Sequence, residues 1–296
     1  MQIIAHSRIF LGLAALLVLL SIGAIAVWGL ELGIDFTGGS LLEVTYLTER
    51  PSSDIIRQEL ADLSIGDVQI QPTDEGGLLL KFRSVDEASH QQILDALGKT
   101  GEIREERFES IGPVIGGELK KKAVTALVVV LVLIILYVAF AFRKVSSIIT
   151  SWKYGLVTIV ALIHDIVIPT GIVATIGHFG SFQVDAFFIA ALLTILGFSV
   201  QDTIVVFDRF RENLMKNRGG DIATIANQSV NEVMARSINT SLTLLLVLFA
   251  VLFFGGVTVH NLVLVLIFGT FFGAYSSIFV ATPLLALWNR QKKGTA

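Results

Sequence analysis

The stretch GFSVQDTIVVFDRFREN, residues 197–213, is an apolar run of membrane-helix character that carries one acidic residue, Asp202, and then breaks into alternating charge from Asp208 onward. A carboxylate inside a membrane helix costs about 2.5 to 3.5 kcal/mol on insertion scales, so it faces a polar cavity or a partner group. Two readings of Asp202 follow. It is a functional carboxylate inside a helix bundle, or a wetted residue near the end of its span that only fixes helix packing.

Outward from this stretch, the chain of 296 residues is 53% hydrophobic and only 16% charged, a balance that excludes a soluble domain and predicts a polytopic membrane protein. Residues 9–30 form an uncharged run of about 22 residues, enough to cross a hydrocarbon core at 1.5 Å per residue. The run is too long for a cleaved leader and reads as an uncleaved first span. Five further runs, 123–142, 154–176, 186–207, 237–254 and 262–288, complete an expected set of six transmembrane helices. Arg143, Lys144 and Lys153 lie between spans two and three. Arg209, Arg211, Lys216, Arg218 and Arg236 lie between four and five, and Arg290, Lys292 and Lys293 follow the last. The loops 177–185 and 255–261 carry no lysine or arginine, so the positive-inside rule predicts cytoplasmic termini.

Between the first two spans the composition turns polar, and residues 31–122 read as an extracytoplasmic α+β domain. Segments 40–47, 68–71, 77–83 and 102–110 have strand character, and 51–63 and 86–97 have helical spacing, with Ser84 or Asp86 available as a cap. The order βαββαβ predicts a ferredoxin-like split fold. The domain division is therefore 1–30, a cytoplasmic N-terminus and first span; 31–122, the α+β domain; 123–288, spans two to six; and 289–296, a cytoplasmic tail. LGIDFTGG (32–39) and IGPVIGGEL (111–119) flank the domain and lack the lysine and hydroxyl of a phosphate loop. Gly38, Gly39, Gly116 and Gly117 are expected to serve as joints between domain and membrane helices, on which the domain moves as a rigid body.

Few polar residues enter the spans. His164 and Asp165 sit near the middle of the third, and Arg236, Asn239, Thr240 and Thr243 follow one another at i, i+3, i+4 and i+7 along the fifth. Asp202 lies about 7 Å inside its cytoplasmic end at 1.5 Å per residue, a depth that Arg236 matches on the next span. Burial raises a carboxylate's affinity for a proton and a nearby guanidinium lowers it, so motion of the arginine alone would load or release a proton. Arg236 reads equally as a snorkelling anchor at a helix start. His164 and Asp165 read as polar packing or as a second proton site. Ser199, Gln201 and Thr203 complete the polar surroundings expected of Asp202. No HExxH or GxSxG occurs, and His6, His90, His164, His178 and His260 are scattered, so no enzyme, metal or cofactor is expected. The chain has no cysteine. Its net charge of -3 argues against a nucleic-acid partner.

The two glycine stretches, ALIHDIVIPTG (161–171), GFSVQDTIVVFDRFREN (197–213) and RSINTSLTLL (236–245) together resemble the SecD/SecF family of bacterial Sec protein-export membrane subunits, in its SecF branch. The resemblance covers nearly the whole chain. It implies a six-span half of a resistance-nodulation-division transporter in the bacterial inner membrane. It implies SecD as obligate partner, with the SecYEG translocon, accessory membrane subunits and unfolded preprotein as further ones, and protons driving a late, periplasmic stage of export. It assigns proton transport to Asp202 and Arg236. Phe198 and Gln201 replace the usual Tyr and Asn of the motif while keeping an aromatic ring and a carboxamide. Half of another exporter of this superfamily, carrying lipid or small molecules, and a membrane scaffold are the alternatives. A scaffold would tolerate neutralisation of Asp202.

Overall fold

The computed structural model describes residues 2–73, 76–143, 149–180 and 182–290, without the side chains of 257, 258 and 290. Lys144, Lys292 and Lys293, which entered the orientation argument, lie outside the described residues, as do the Arg290 side chain and tail residues 291–296. The chain divides into two compact units, one made of Met1–Glu31 and Thr125–Ala296, the other of Leu32–Val124. It opens on helix α1, Ser7–Trp28.

The second unit begins with a single helical turn, α2 (Ile34–Thr37), and continues β1 (Gly39–Tyr46), α3 (Ser53–Leu60), β2 (Gln69–Pro72), β3 (Gly77–Phe82), α4 (Glu87–Gly98) and β4 (Ile103–Ile111). All strand pairs are antiparallel, in the order β2-β3-β1-β4, which is compatible with the split βαββαβ arrangement. Alternation builds the core: Leu42, Val44 and Tyr46 of β1 and Leu78, Leu80 and Phe82 of β3 point to one face. Ile56 and Leu60 of α3 and Ile93, Ala96 and Leu97 of α4 cover that face. Helix α4 starts where Asp86 accepts the backbone N–H of Ser89 at 3.0 Å, so of the two caps considered the aspartate is used. The first helix is shorter than the expected 51–63.

Within this unit the two glycine stretches meet. Gly38 has φ 73°, and a Cβ there would stand 2.6 Å from Pro113 Cα. A Cβ on Gly116 would stand 2.8 Å from the backbone nitrogen of Gly38. The chain thus needs glycine at both positions for close backbone approach. Gly116 and Gly117 do not lie at the change from sheet to helix, as expected, but in the first turns of α5 (Pro113–Ala141). The change falls at Gly112, because Pro113 suits the first position of a helix, where its missing N–H costs nothing.

The other unit is helical. Among the described residues six helices are long and apolar enough to cross a membrane. After α1 and α5 come α6 (Ser151–Phe179), α7 (Ala186–Lys216) and α8 (Ile222–Phe254). The last span runs through α9 (Val257–Ser276), a π turn at Ser277–Ala281 and α10 (Thr282–Arg290). The charged connection between the fourth and fifth apolar runs, residues 208–236, is largely helix. Alternating charge continues α7 through Arg211–Asp208 (2.8 Å) and Lys216–Glu212 (2.7 Å), pairs at helical spacing, and Asp221 caps α8. Arg209 then reaches Glu232 across the turn at 2.5 Å, and Asn213 donates to Ser229 at 2.9 Å.

Tyr154, Val157, Ala161 and Leu162 of α6 pack with Leu196, Val200, Phe207 and Phe210 of α7 and Leu285 and Ala286 of α10. Close backbone approach locks two further contacts. A Cβ on Gly171 would fall 2.4 Å from Ser21 Cβ, and one on Gly269 2.1 Å from Ile195 Cδ1. Pro283 offers no N–H to the preceding turn, and the π turn lies against it.

Candidate functional site

Helix α7 carries Asp202 on the face that meets α8 and the last span. Its Oδ1 accepts the Ser237 hydroxyl of α8 at 2.8 Å, and its Oδ2 accepts the Ser277 hydroxyl of the π turn at 2.7 Å. The carboxylate is half-buried and lines a groove of about 330 Å³. Phe198 and Gln201 of α7, Arg236, Thr240 and Leu244 of α8, and Gly269 and Thr270 of α9 form its walls. Arg236 is exposed, and no ion pair joins it to Asp202 among the described residues. The reason is angular: adjacent helical residues point about 100° apart, so with Ser237 turned onto Asp202, Arg236 stands to one side, at the groove wall.

A second carboxylate lies deeper. Asp165 of α6 is fully buried, with its Oδ1 2.8 Å from His164 Nδ1. Its Oδ2 accepts the hydroxyls of Ser199 from α7 and of Ser276 from the last span, the latter at 2.7 Å. His164 lies in the same site, its ring stacked on Tyr275 at 6.0 Å between centroids, and its Nε2 is buried without a hydrogen-bond partner among the described residues. A buried carboxylate is tolerable only when its lone pairs are occupied, and here three donors are in reach of them.

The polar set expected around Asp202 is divided by the structure. Gln201, Arg236 and Thr240 share its groove, while Ser199, also on the groove wall, turns its hydroxyl to Asp165. Thr203 is fully buried, outside the groove lining, its hydroxyl without a partner among the described residues. Asn239 and Thr243 do not line the groove either; the Thr243 hydroxyl donates to the Asn239 carbonyl of its own helix, as Thr240 does to Arg236. The groove-lining face of α8 is therefore 236, 240, 241 and 244, with Ser237 beside it. Sequence reasoning named Ser199 and His164 but passed over Ser237, Ser276 and Ser277, the other residues that touch the carboxylates. The signal for the last two was available: an adjacent pair of hydroxyls in the middle of an otherwise apolar span.

A family model described as protein export membrane protein SecD/SecF, C-terminal, matches residues 91–291. The chain belongs to the SecD/SecF protein-export family. A second model, the SecD/SecF GG motif, matches residues 23–46, which include Gly38 and Gly39. Among curated members of the SecD/SecF family, the protein translocase subunit SecF of Anaerolinea thermophila is 36% identical over 97% of this chain and 94% of its own length. That of Thermobaculum terrenum is 38% identical over 89% and 86%. The crystal structure of SecDF, a translocon-associated membrane protein from Thermus thermophilus, superposes with a TM-score of 0.84 at 32% identity. The superposition covers 96% of this chain, which spans 38% of the length of that one.

Proposed function

We propose that the chain is a membrane subunit of a Sec-type protein translocase, working beside a SecD partner and drawing on a proton gradient through Asp202. Relatives that it matches along nearly their whole length are named translocase subunits, and this chain matches 38% of the length of a solved chain titled SecDF. A six-span half calls for a second half by the repeat logic of such transporters. We place it in the bacterial inner membrane, with both termini cytoplasmic and residues 31–122 outside. It performs no covalent chemistry of its own. SecYEG and an unfolded preprotein are the expected further partners.

The observation that carries this reading is that one membrane carboxylate ties three spans together. The ionised form of Asp202 accepts hydrogen bonds from Ser237 and Ser277, which joins α7 to α8 and to the π turn of the last span. Protonation converts one of its oxygens from acceptor to donor, so one serine must turn away or reverse its role. Loading a proton therefore changes how α7 holds its neighbours, and Arg236 stands on the wall of the same groove. The test is export into membrane vesicles with and without a proton gradient. Asp202→Asn should accumulate normally, co-purify with SecD and lose stimulation by the gradient. Gradient dependence equal to that of the unmodified chain would remove Asp202 from the coupling step.

A further inference from the structure

We propose that Asp165 is a second proton-exchanging carboxylate, coupled to Asp202 through the Ser276–Ser277 pair and the backbone carbonyl of Gly273. The proposal rests on the reading of Asp202 given above. Ser276 donates to Asp165 at 2.7 Å and its neighbour Ser277 donates to Asp202 at 2.7 Å, so two successive residues of one span each serve a different carboxylate. Both hydroxyls also reach the Gly273 carbonyl, Ser276 at 3.1 Å and Ser277 at 2.7 Å. That carbonyl already accepts the Ser277 backbone N–H.

A hydroxyl has one proton to give and a carbonyl oxygen has two lone pairs. When a carboxylate is ionised, its serine gives it that proton. When the proton is taken up on the Oδ2 that faces the serine pair, that O–H donates to the serine oxygen, and the serine proton turns to Gly273. With the backbone N–H in place, the carbonyl has one good position left for two serines. The alternative for Ser277, the Ala274 carbonyl, is 3.4 Å away, a longer and weaker bond. Each carboxylate therefore hinders its neighbour from holding a proton at the same time, and the two are loaded by turns. Only O–H bonds break and form, and the proton enters and leaves on the Asp202 side, which is half-buried where Asp165 is enclosed.

The other groups facing Asp165 fit this role. His164 and the Ser199 hydroxyl complete its acceptor set, and Tyr275, stacked on His164, commits its hydroxyl to the Phe10 carbonyl at 2.9 Å. Asp202 and Arg236 are the charged side chains lining the groove on the far side of the serine pair. A side chain on Gly273 would press on this arrangement, since its Cβ would lie 3.4 Å from Ser199 Cβ and 3.8 Å from Asp165 Oδ2.

Infrared titration of the full chain, co-purified with its partner from native membranes, tests the coupling. The carboxylic acid band that Asp202→Asn abolishes reports Asp202, and the band that Asp165→Asn abolishes reports Asp165. The intact protein should titrate in two steps about one pH unit or more apart, the separation at which two sites behave as a pair. Asp165→Asn should shift the Asp202 midpoint and leave one step. Ser276→Ala, which keeps both carboxylates, should also shift the Asp202 midpoint, and Ser276→Thr, which restores the hydroxyl, should bring it back. The serine variants decide the matter if Asp165→Asn fails to accumulate. An Asp202 band that titrates with the same midpoint in Asp165→Asn and Ser276→Ala overturns the coupling alone. An Asp202 band that does not titrate at all overturns this inference together with the proposed function.

Discussion

Asp86 and Asp202 put the same side chain to two uses. Asp86, exposed in the sheet unit, ends its role at the start of α4: its carboxyl lies below the usual carboxylate range because it accepts first the Ser89 backbone N–H and then the Ser89 side chain. Folding lowers its proton affinity, so its contribution to stability is complete above the unfolded value near about 3.9 and is lost as pH falls through the lower folded value. Asparagine caps as well as aspartate but does not titrate. Asp86→Asn should therefore leave α4 intact at neutral pH. Amide exchange at Ser89, corrected for its intrinsic rate, should open in the unmodified chain as pH falls below about 4 and stay level in the variant. Asp202 was legible as a functional candidate because its charge stands alone in an apolar run. Its ligand Ser237 was not, because a single serine in a membrane span carries no signal until a carboxylate is known to face it. The pair with Arg236 illustrates the limit: similar depth along two helices gave a shared groove, while rotation by one residue gave the contact to Ser237.

At the scale of elements, apolar length located six spans but not the helices that contain them. Hydrophobic runs end where lipid ends, whereas α7 and α8 continue on ion pairs at helical spacing to Lys216 and from Ile222. The π turn at Ser277–Ala281 had no counterpart in the sequence reading, since a one-residue widening of a helix leaves hydrophobicity unchanged. The contact between α7 and α9 also depends on what is absent. Gly269→Ala would drive a methyl group to 2.1 Å from Ile195 Cδ1 and 2.2 Å from its Cγ1. Overpacking of this kind costs about 1 to 3 kcal/mol. Ile195→Ala removes the obstructing atoms and on its own leaves a cavity, so the two substitutions should compensate. Thermal unfolding of the purified membrane protein should show the double variant to be less damaged than the sum of the single ones. Simple additivity would mean that the helices shift apart instead of repacking.

At the scale of the whole molecule, the sheet unit is entered at Gly38–Gly39 and left at Gly112–Pro113, and these two points touch. A unit whose entry and exit are clasped together passes a displacement to its whole body without shearing its own sheet, which is what a domain moving as a rigid body requires. The sequence reading treated Gly38, Gly39, Gly116 and Gly117 alike, as permissive joints. The structure separates them. A Cβ on Gly116 would meet the Gly38 backbone at 2.8 Å, and one on Gly39 the Phe82 carbonyl at 2.9 Å, whereas Gly117 has nothing within 4 Å. Alanine in place of a helical glycine gains about 1 kcal/mol of helix propensity at either of the neighbouring positions. Gly117→Ala should therefore be neutral or slightly stabilising, with full export in the vesicle assay. Gly116→Ala has the same propensity gain but must push the Gly38 backbone away, with no flexible side chain to absorb the strain. It should lower abundance of the folded protein or, where it accumulates, raise protease cutting near residues 33–38 and reduce export. Equal behaviour of Gly116→Ala and Gly117→Ala would show that the clasp can open without consequence, and that entry and exit do not need to move together.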